Sequence, residues 1–267
     1  MNWKRILLSL ILIILIFYIY NYVQISKFYI NKLKLTTNKL TGSIRLTQIS
    51  DFHSNEKIDL EKLFKSIREF KPDIIFLTGD IIDHKTRDMT LAFKMFEGIT
   101  DISPNVYFVS GNHELLNSSS KKFYEGLKEY GIRILDNKSE IIELNGQKIN
   151  LFGASFYAEK EDYDVLFKDI DNKKYNILLS HSPNRPIMYL NERVDLILSG
   201  HTHGGQVRLP IIGGIIAPGQ GFFPKYDKGT FELGNTILYI DSGIGNSVYP
   251  IRAFNRVQYT NIVIEGK

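Results

Sequence analysis

Five of the chain's six histidines stand directly after short apolar runs that read as buried strands, and this placement constrains the fold more than any other feature. IRLTQIS leads into Asp51-Phe52-His53, DIIFLTG into Asp80, and VYFVSG into Asn112-His113-Glu114. ILLS leads to His181, and VDLILSG to His201-Thr202-His203. Continuous apolar runs of this length fit strands buried on both faces of a parallel or mixed sheet. In open α/β sheets, ligands bind in the crevice outside the carboxyl ends of such strands. Scattered histidines would not recur five times at one structural phase. The pattern predicts a single site assembled from loops spread across about half of the chain.

Between these strand ends the chain reads as stacked βαβ units. IDLEKLFKSIREF places Leu60, Leu63, Phe64 and Ile67 on one helical face and stops before Lys71-Pro72. MTLAFKMFEGI predicts a second helix, and SSKKFYEGLKEYG a third that ends at Gly131. IRILDN and SEIIELNGQKINLFGAS predict paired strands, with Asn145-Gly146 as a tight hairpin turn. The final third is strand-rich, with TILYIDSG and QYTNIVIEG as closing strands and many glycines and prolines between Leu209 and Pro224.

The net charge of +4 divides unevenly. Residues 1–45 hold Lys4, Arg5, Lys27, Lys32, Lys34, Lys39 and Arg45 and no acidic residue. The remainder carries 26 basic against 29 acidic side chains, a net of −3, which disfavours a long nucleic-acid backbone as partner. Ile6 to Tyr20 is free of charge, and the apolar character continues weakly to Val23; 18 residues at 1.5 Å each span roughly 27 Å, enough for a bilayer core. YNYVQISKF offers no small-residue cleavage site. LLSLILIILIF lacks the polar stripe of a buried amphipathic helix. Residues 1–25 therefore read as an uncleaved single-pass anchor, residues 26–43 as a basic juxtamembrane linker, and residues 44–267 as the catalytic domain. A basic start followed by an apolar run predicts a cell-membrane protein whose domain lies outside the cytoplasm. The linker lysines are expected either against anionic head groups or simply solvated.

With no cysteine in the chain, any metal must be held by imidazole, carboxylate, amide or water. Asp51 and His53 lie at i and i+2 of a strand end, so both side chains can reach one cation. Asp80 has two oxygens, and two dications about 3.5–4 Å apart need an anion between them. Asn112 offers a neutral oxygen, and His113, one residue along, suits proton donation at neutral pH. His201 and His203 can serve two neighbouring ions, with Gly200, Gly204 and Gly205 permitting a crowded turn.

The order DxH, GD, GNHE, H, GHTH closely resembles the calcineurin-like metallophosphoesterase superfamily, over about residues 44–264. GHTHGGQVRLP, GFFPKYDKG and PIRAFNRVQY are similar to bacterial membrane-associated or exported members. The resemblance implies a four-layer αββα sandwich with two mixed sheets and a binuclear centre of Mn, Fe or Zn. It implies that Asp51, His53, Asp80 and His203 surround one ion, and that Asp80, Asn112, His181 and His201 surround the other. His113 would then protonate the leaving oxygen. The expected activity is hydrolysis of a phosphodiester, pyrophosphate or phosphomonoester, with a lipid-linked or envelope substrate suggested by the anchor. A nuclease of the same superfamily and an inactive membrane adaptor are the alternatives. Outside this set, His84 is expected in a solvated loop and Arg208 either near a phosphate or in packing. Phe222, Phe223 and Tyr226 are expected in packing or as an apolar lip, and Asp83 and Glu114 as partners that orient ligand imidazoles.

Overall fold

The computed structural model describes residues 3–189, 191–246 and 249–267. Helix α1 (Trp3–Ser26) leads into β1 (Tyr29–Thr37) and β2 (Ser43–Ile49), followed by α2 (Leu60–Phe70), β3 (Ile74–Leu77), α3 (Thr90–Thr100) and β4 (Val106–Phe108). Next come α4 (Asn112–Leu116), α5 (Ser120–Glu129), β5 (Arg133–Ile134), β6 (Lys138–Leu144), β7 (Gln147–Ala154) and α6 (Lys160–Leu166). Strand β8 (Tyr175–Ser180), α7 (Asn184–Met188) and β9 (Leu196–Ser199) precede two small ribbons, β10 (Arg208–Leu209) with β11 (Gly213–Gly214) and β12 (Ile216–Ala217) with β13 (Gly221–Phe222). Strands β14 (Gly229–Leu233), β15 (Thr236–Ile240) and β16 (Gln258–Gly266) close the chain.

Two six-stranded mixed sheets result, in the orders β1-β16-β2-β3-β4-β5 and β14-β15-β9-β8-β7-β6. Side chains alternate across a strand, and β3 shows what that does here. Ile74 and Phe76 enter the core between the sheets, with Tyr107, Leu151, Ile177 and Leu198. Ile75 and Leu77 face the other way, against Leu63 and Ile67 of α2 and Met95 and Phe96 of α3. Both faces are buried, so the strand is apolar throughout. On the far side, Tyr163, Leu166 and Phe167 cover Phe152, Leu178 and Ile197 of the second sheet. The architecture is the expected four-layer αββα sandwich.

Helix α2 buries the four predicted residues, starts under an Asp59 cap that accepts from the Lys62 amide, and stops at Lys71 in a left-handed conformation. Asn145 and Gly146 both take positive φ, 51° and 72°, as a two-residue hairpin between β6 and β7 requires. Two expectations need correction. IRILDN does not pair with SEIIEL: β5 lies parallel to β4 at the edge of the first sheet, and the chain crosses to the second sheet at residues 135–137. Leu135 drops into the inter-sheet core at that crossing. The stretch 26–43 is not merely a linker, because β1 pairs in parallel with β16 over nine residues. Leu33 and Leu35 face the core while Lys32 and Lys34 stand exposed on this edge strand, where lysines deter pairing with other chains. Lys34 pairs with Glu265 and Lys39 with Asp195, each at 2.8 Å.

Helix α1 is long and apolar enough to cross a membrane, and only Ile25 and Ser26 at its end are buried. That end is fastened to the segment 250–257. Asn21 donates to the Pro250 carbonyl and accepts from the Arg252 amide, and the Gln24 carbonyl accepts from Val257.

Candidate metal centre

The predicted residues converge. Asp51 and His53 follow β2, Asp80 follows β3, and Asn112 and His113 open α4 after β4; His181 follows β8, and His201 and His203 follow β9. These are carboxyl ends of strands from both sheets, so the cluster straddles the sandwich. The backbone is bent hard to put it there. Asp51, His53, Asp80, His201 and His203 all have φ between 48° and 68°, a left-handed region that non-glycine residues occupy at a cost of about 1–3 kcal/mol each. Such strain persists where surrounding structure enforces it. Gly111 allows the Asp80 side chain to approach, since a Cβ there would overlap Asp80 Oδ1, and a Cβ at Gly200 would overlap Ser50 and Asp51.

Asp80 is the hub. Its Oδ2 lies 3.1 Å from His181 Nε2, 3.7 Å from His53 Nε2 and 3.9 Å from His113 Nε2. Asp51 Oδ1 lies 3.5 Å from His203 Nε2 and 3.9 Å from His181 Nε2. Ligand atoms of Asp51, His53 and His203 fall within 4.8 Å of one another, as do those of Asp80, His181 and His201. His53, Asp83 and His113 form a third such group.

Several features suit these groups to divalent cations. His53 Nε2 and His203 Nε2 are 3.2 Å apart, and His181 Nε2 and His201 Nδ1 are 3.1 Å apart, so ring nitrogens converge in pairs. Asn112 Oδ1 is buried with no hydrogen-bond partner. The Thr78 carbonyl accepts from His181 Nδ1 at 2.7 Å, which leaves the Nε2 lone pair for a ligand. Hard carboxylate and amide oxygens mixed with imidazole match first-row divalent ions better than calcium.

Burial opposes charge throughout the cluster. It pushes the Asp51 carboxyl up to about 7 and drives His53 down to about 4 and His201 to about 3. Burial works against charge on His181 as well, but the Asp80 carboxylate beside it prevails and raises the ring to about 10. Asp80 itself, despite burial, is held far below the usual carboxylate range, chiefly by His181.

His113 is set differently from the other rings. The His84 amide donates to His113 Nδ1 at 3.1 Å, which places the neutral ring's proton on Nε2, the nitrogen facing the centre. His84 is therefore not a free loop residue; its ring also lies 3.1 Å from Asp83 Oδ1. Asp83 Oδ2 stands 3.3 Å from His113 Nδ1 and 3.9 Å from His53 Nδ1. Glu114 touches no imidazole. Fully buried, it accepts from the amides of Asp80, Ile81, Ile82 and Gly111 and so builds the turn that carries Asp80. Burial raises its pKa to about 8, whereas two amides on each oxygen match the ionised form.

Arg208 binds no open site: it holds the Gly204 carbonyl and Asp227, and Asp227 also accepts from the Gly214 amide. Phe222 and Phe223 are exposed, while Tyr226 packs against Phe231. Sequence reasoning missed Arg252 and Asn255. Arg252 is buried, reaches His203 Nδ1 at 3.2 Å, and donates to the carbonyls of Ser242 and Gly245. Asn255 donates to the carbonyl of His203. The stretch PIRAFNRVQY, which holds both, carried the hint.

Among the described residues, clefts open beside the cluster on two sides. One, of about 560 Å³, is lined by charged side chains, His53, Asp83, Lys85, Arg87 and Lys94 among others. The other, of about 390 Å³, runs from His203 and Gln206 to Ile216, Ala217 and Pro218.

Residues 44–205 match the family model for calcineurin-like phosphoesterases. The chain is 29% identical over 233 residues to the uncharacterized metallophosphoesterase YkuE of Bacillus subtilis, covering 83% of this chain and 79% of that one. It is 28% identical over 221 residues to the phosphodiesterase YaeI of Escherichia coli, covering 79% and 78%. A Danio rerio transmembrane protein with a metallophosphoesterase domain is 27% identical over 244 residues; the match takes in 84% of this chain and 54% of that longer one.

Proposed function

The chain belongs to the calcineurin-like phosphoesterase family and is a hydrolase of phosphoester bonds, and from that premise we propose that it is a membrane-anchored enzyme with a two-ion centre. The observation that supports this most is the Asp80 carboxylate, placed among the Nε2 atoms of His181, His53 and His113. One ion would be held by Asp51, His53, Asp80 and His203, the other by Asp80, Asn112, His181 and His201. When bound, two divalent ions supply Lewis acidity, lowering the pKa of water and offsetting charge on the phosphoryl oxygens.

The chain's own residues do the rest. His113 carries a proton on Nε2 at the edge of the centre and delivers it to the departing oxygen as water adds to phosphorus from the opposite side. Glu114 fixes the Asp80 turn, and the His84 amide holds the His113 ring. Arg252 holds the Asn255 carbonyl, and Asn255 holds the carbonyl of His203.

Manganese, iron and zinc all suit the donor set, and supply decides among them. The substrate is a diester, pyrophosphate or monoester, and a cleft lined by charged side chains on one side with a more apolar one on the other favours an amphiphilic, lipid-linked compound. Helix α1 anchors the chain with the body outside the cytoplasm; the relative described as a transmembrane protein supports the anchor. The test is to strip the full chain of metal and reload it with Mn²⁺, Zn²⁺ or Fe²⁺. Aryl and alkyl diesters, monoesters, pyrophosphate and phospholipids are then compared. No metal-dependent hydrolysis of any of them would defeat the reading. Protease shaving of intact cells that spares the body would defeat the orientation.

A further inference from the structure

The loops beside the centre expose more apolar surface than a water-facing loop has use for. Ile211 is fully exposed, Phe222 73% and Phe254 66%, and Ile212, Phe223 and Ile251 stand out with them. Contiguous exposed apolar patches mark interaction surfaces. Backbone hydrogen bonds join the segments that carry these residues into one rim. Arg208 donates to the Ala253 carbonyl, Ile215 to Val207 and Phe223 to Ile215, while Ile216 pairs with Phe222. The rim is also continuous with α1. The Phe254 amide donates to the Tyr20 hydroxyl, and the two rings lie 6.1 Å apart. Tyr18, Tyr20 and Tyr22 close the apolar stretch of α1, where amphipathic rings favour the membrane–water interface. Exposed Lys225 and Arg256 supply cations beside the rim.

We propose that this rim is a bilayer-docking surface that enters the lipid interface together with the end of α1. It rests on the reading of α1 as the anchor. A helix end bonded to the rim's own segment fixes the rim's height against the same bilayer. Aromatic and aliphatic side chains with adjacent cations suit the boundary between head groups and acyl chains. The apolar cleft beside His203 opens on Ile216 and Ala217, next to the rim, so phosphoesters carried by lipids come within its reach.

The chain has no cysteine, so single reporters can be placed at will. The full chain would carry Phe222→Cys, Phe254→Cys, Tyr22→Cys or Val165→Cys, each labelled with a polarity-sensitive fluorophore and reconstituted in vesicles of phosphatidylcholine and phosphatidylglycerol. Val165 is exposed on α6, among the helices of the outer layer. Each variant must keep the wild-type melting temperature. Quenching by lipid-borne nitroxides is expected at 222 and 254 within about twofold of that at 22, and none at 165. Quenching at 22 with none at 222 and 254 would overturn the docking surface and leave the anchor standing. Quenching at none of the four would overturn both. A fluorophore at 222 that shifts to the blue without quenching by lipid would mean a protein covers the rim, and would also overturn the proposal.

Discussion

His181 Nε2 lies 3.1 Å from Asp80 Oδ2, and both residues are buried. In the metal-free protein this is a charged pair, and the ring's pKa is raised to about 10 against the opposing effect of burial. A folded-state pKa above the unfolded value of about 6.5 stabilises the fold below that value, and the contribution is lost as pH climbs through about 10. Metal must displace the same proton. Binding at about pH 8 should therefore release a proton, with affinity rising up to roughly tenfold per unit between about pH 7 and 9. Calorimetry in buffers of different ionisation enthalpy measures this. An affinity independent of pH would contradict it.

His113→Asn should leave metal content unchanged, because the Nε2 proton and not a lone pair faces the centre. Turnover should fall about 10²–10⁴-fold with alkyl leaving groups, and much less with aryl ones that depart without a proton. Steady-state rates on a matched pair of diesters check this. Equal losses on both would remove the donor role.

Glu114→Gln replaces an oxygen that accepts two backbone amides with a group that can only donate to them. The fold should lose about 2 kcal/mol. For a chain of this size that is a fall of roughly 4–8 °C in melting temperature. Differential scanning calorimetry of the metal-free protein gives the answer, and an unchanged transition would show that the amides find other partners.

Arg252→Met keeps the volume but leaves the carbonyls of Ser242, Gly245 and Asn255 unserved, and loosens Asn255, whose amide holds the His203 carbonyl. Metal affinity should drop about 10–100-fold, as for other outer partners of ligand histidines. The loss should fall on one ion and spare the other, which a competition titration with a chromogenic chelator resolves.

The strand ends were legible because chemistry and burial coincide there. β3, β4 and β9 are apolar runs and β8 nearly so, β2 alternates polar and apolar residues, and each is followed within four residues by a side chain able to bind an ion. β1 was hidden because Lys32 and Lys34 interrupt its leucines, and only pairing with β16, more than two hundred residues away, reveals the alternation. The two-residue β5 carried too little pattern to show which sheet it joins. Glu114 and Arg252 were illegible for another reason. Their partners are backbone amides and carbonyls brought together by the fold, and no residue type in the sequence announces them.

The central claim is that Asp80 joins two ions into one hydrolytic centre. The most direct measurement titrates the metal-stripped full chain with Mn²⁺, following bound metal by equilibrium dialysis and hydrolysis of an aryl phosphodiester in parallel, with Asp80→Asn alongside. Two ions per chain should bind, with hydrolysis rising as the second site fills, and Asp80→Asn should lose at least about 100-fold in rate together with one ion. Full activity with a single ion bound, or with Asn at position 80, would contradict it.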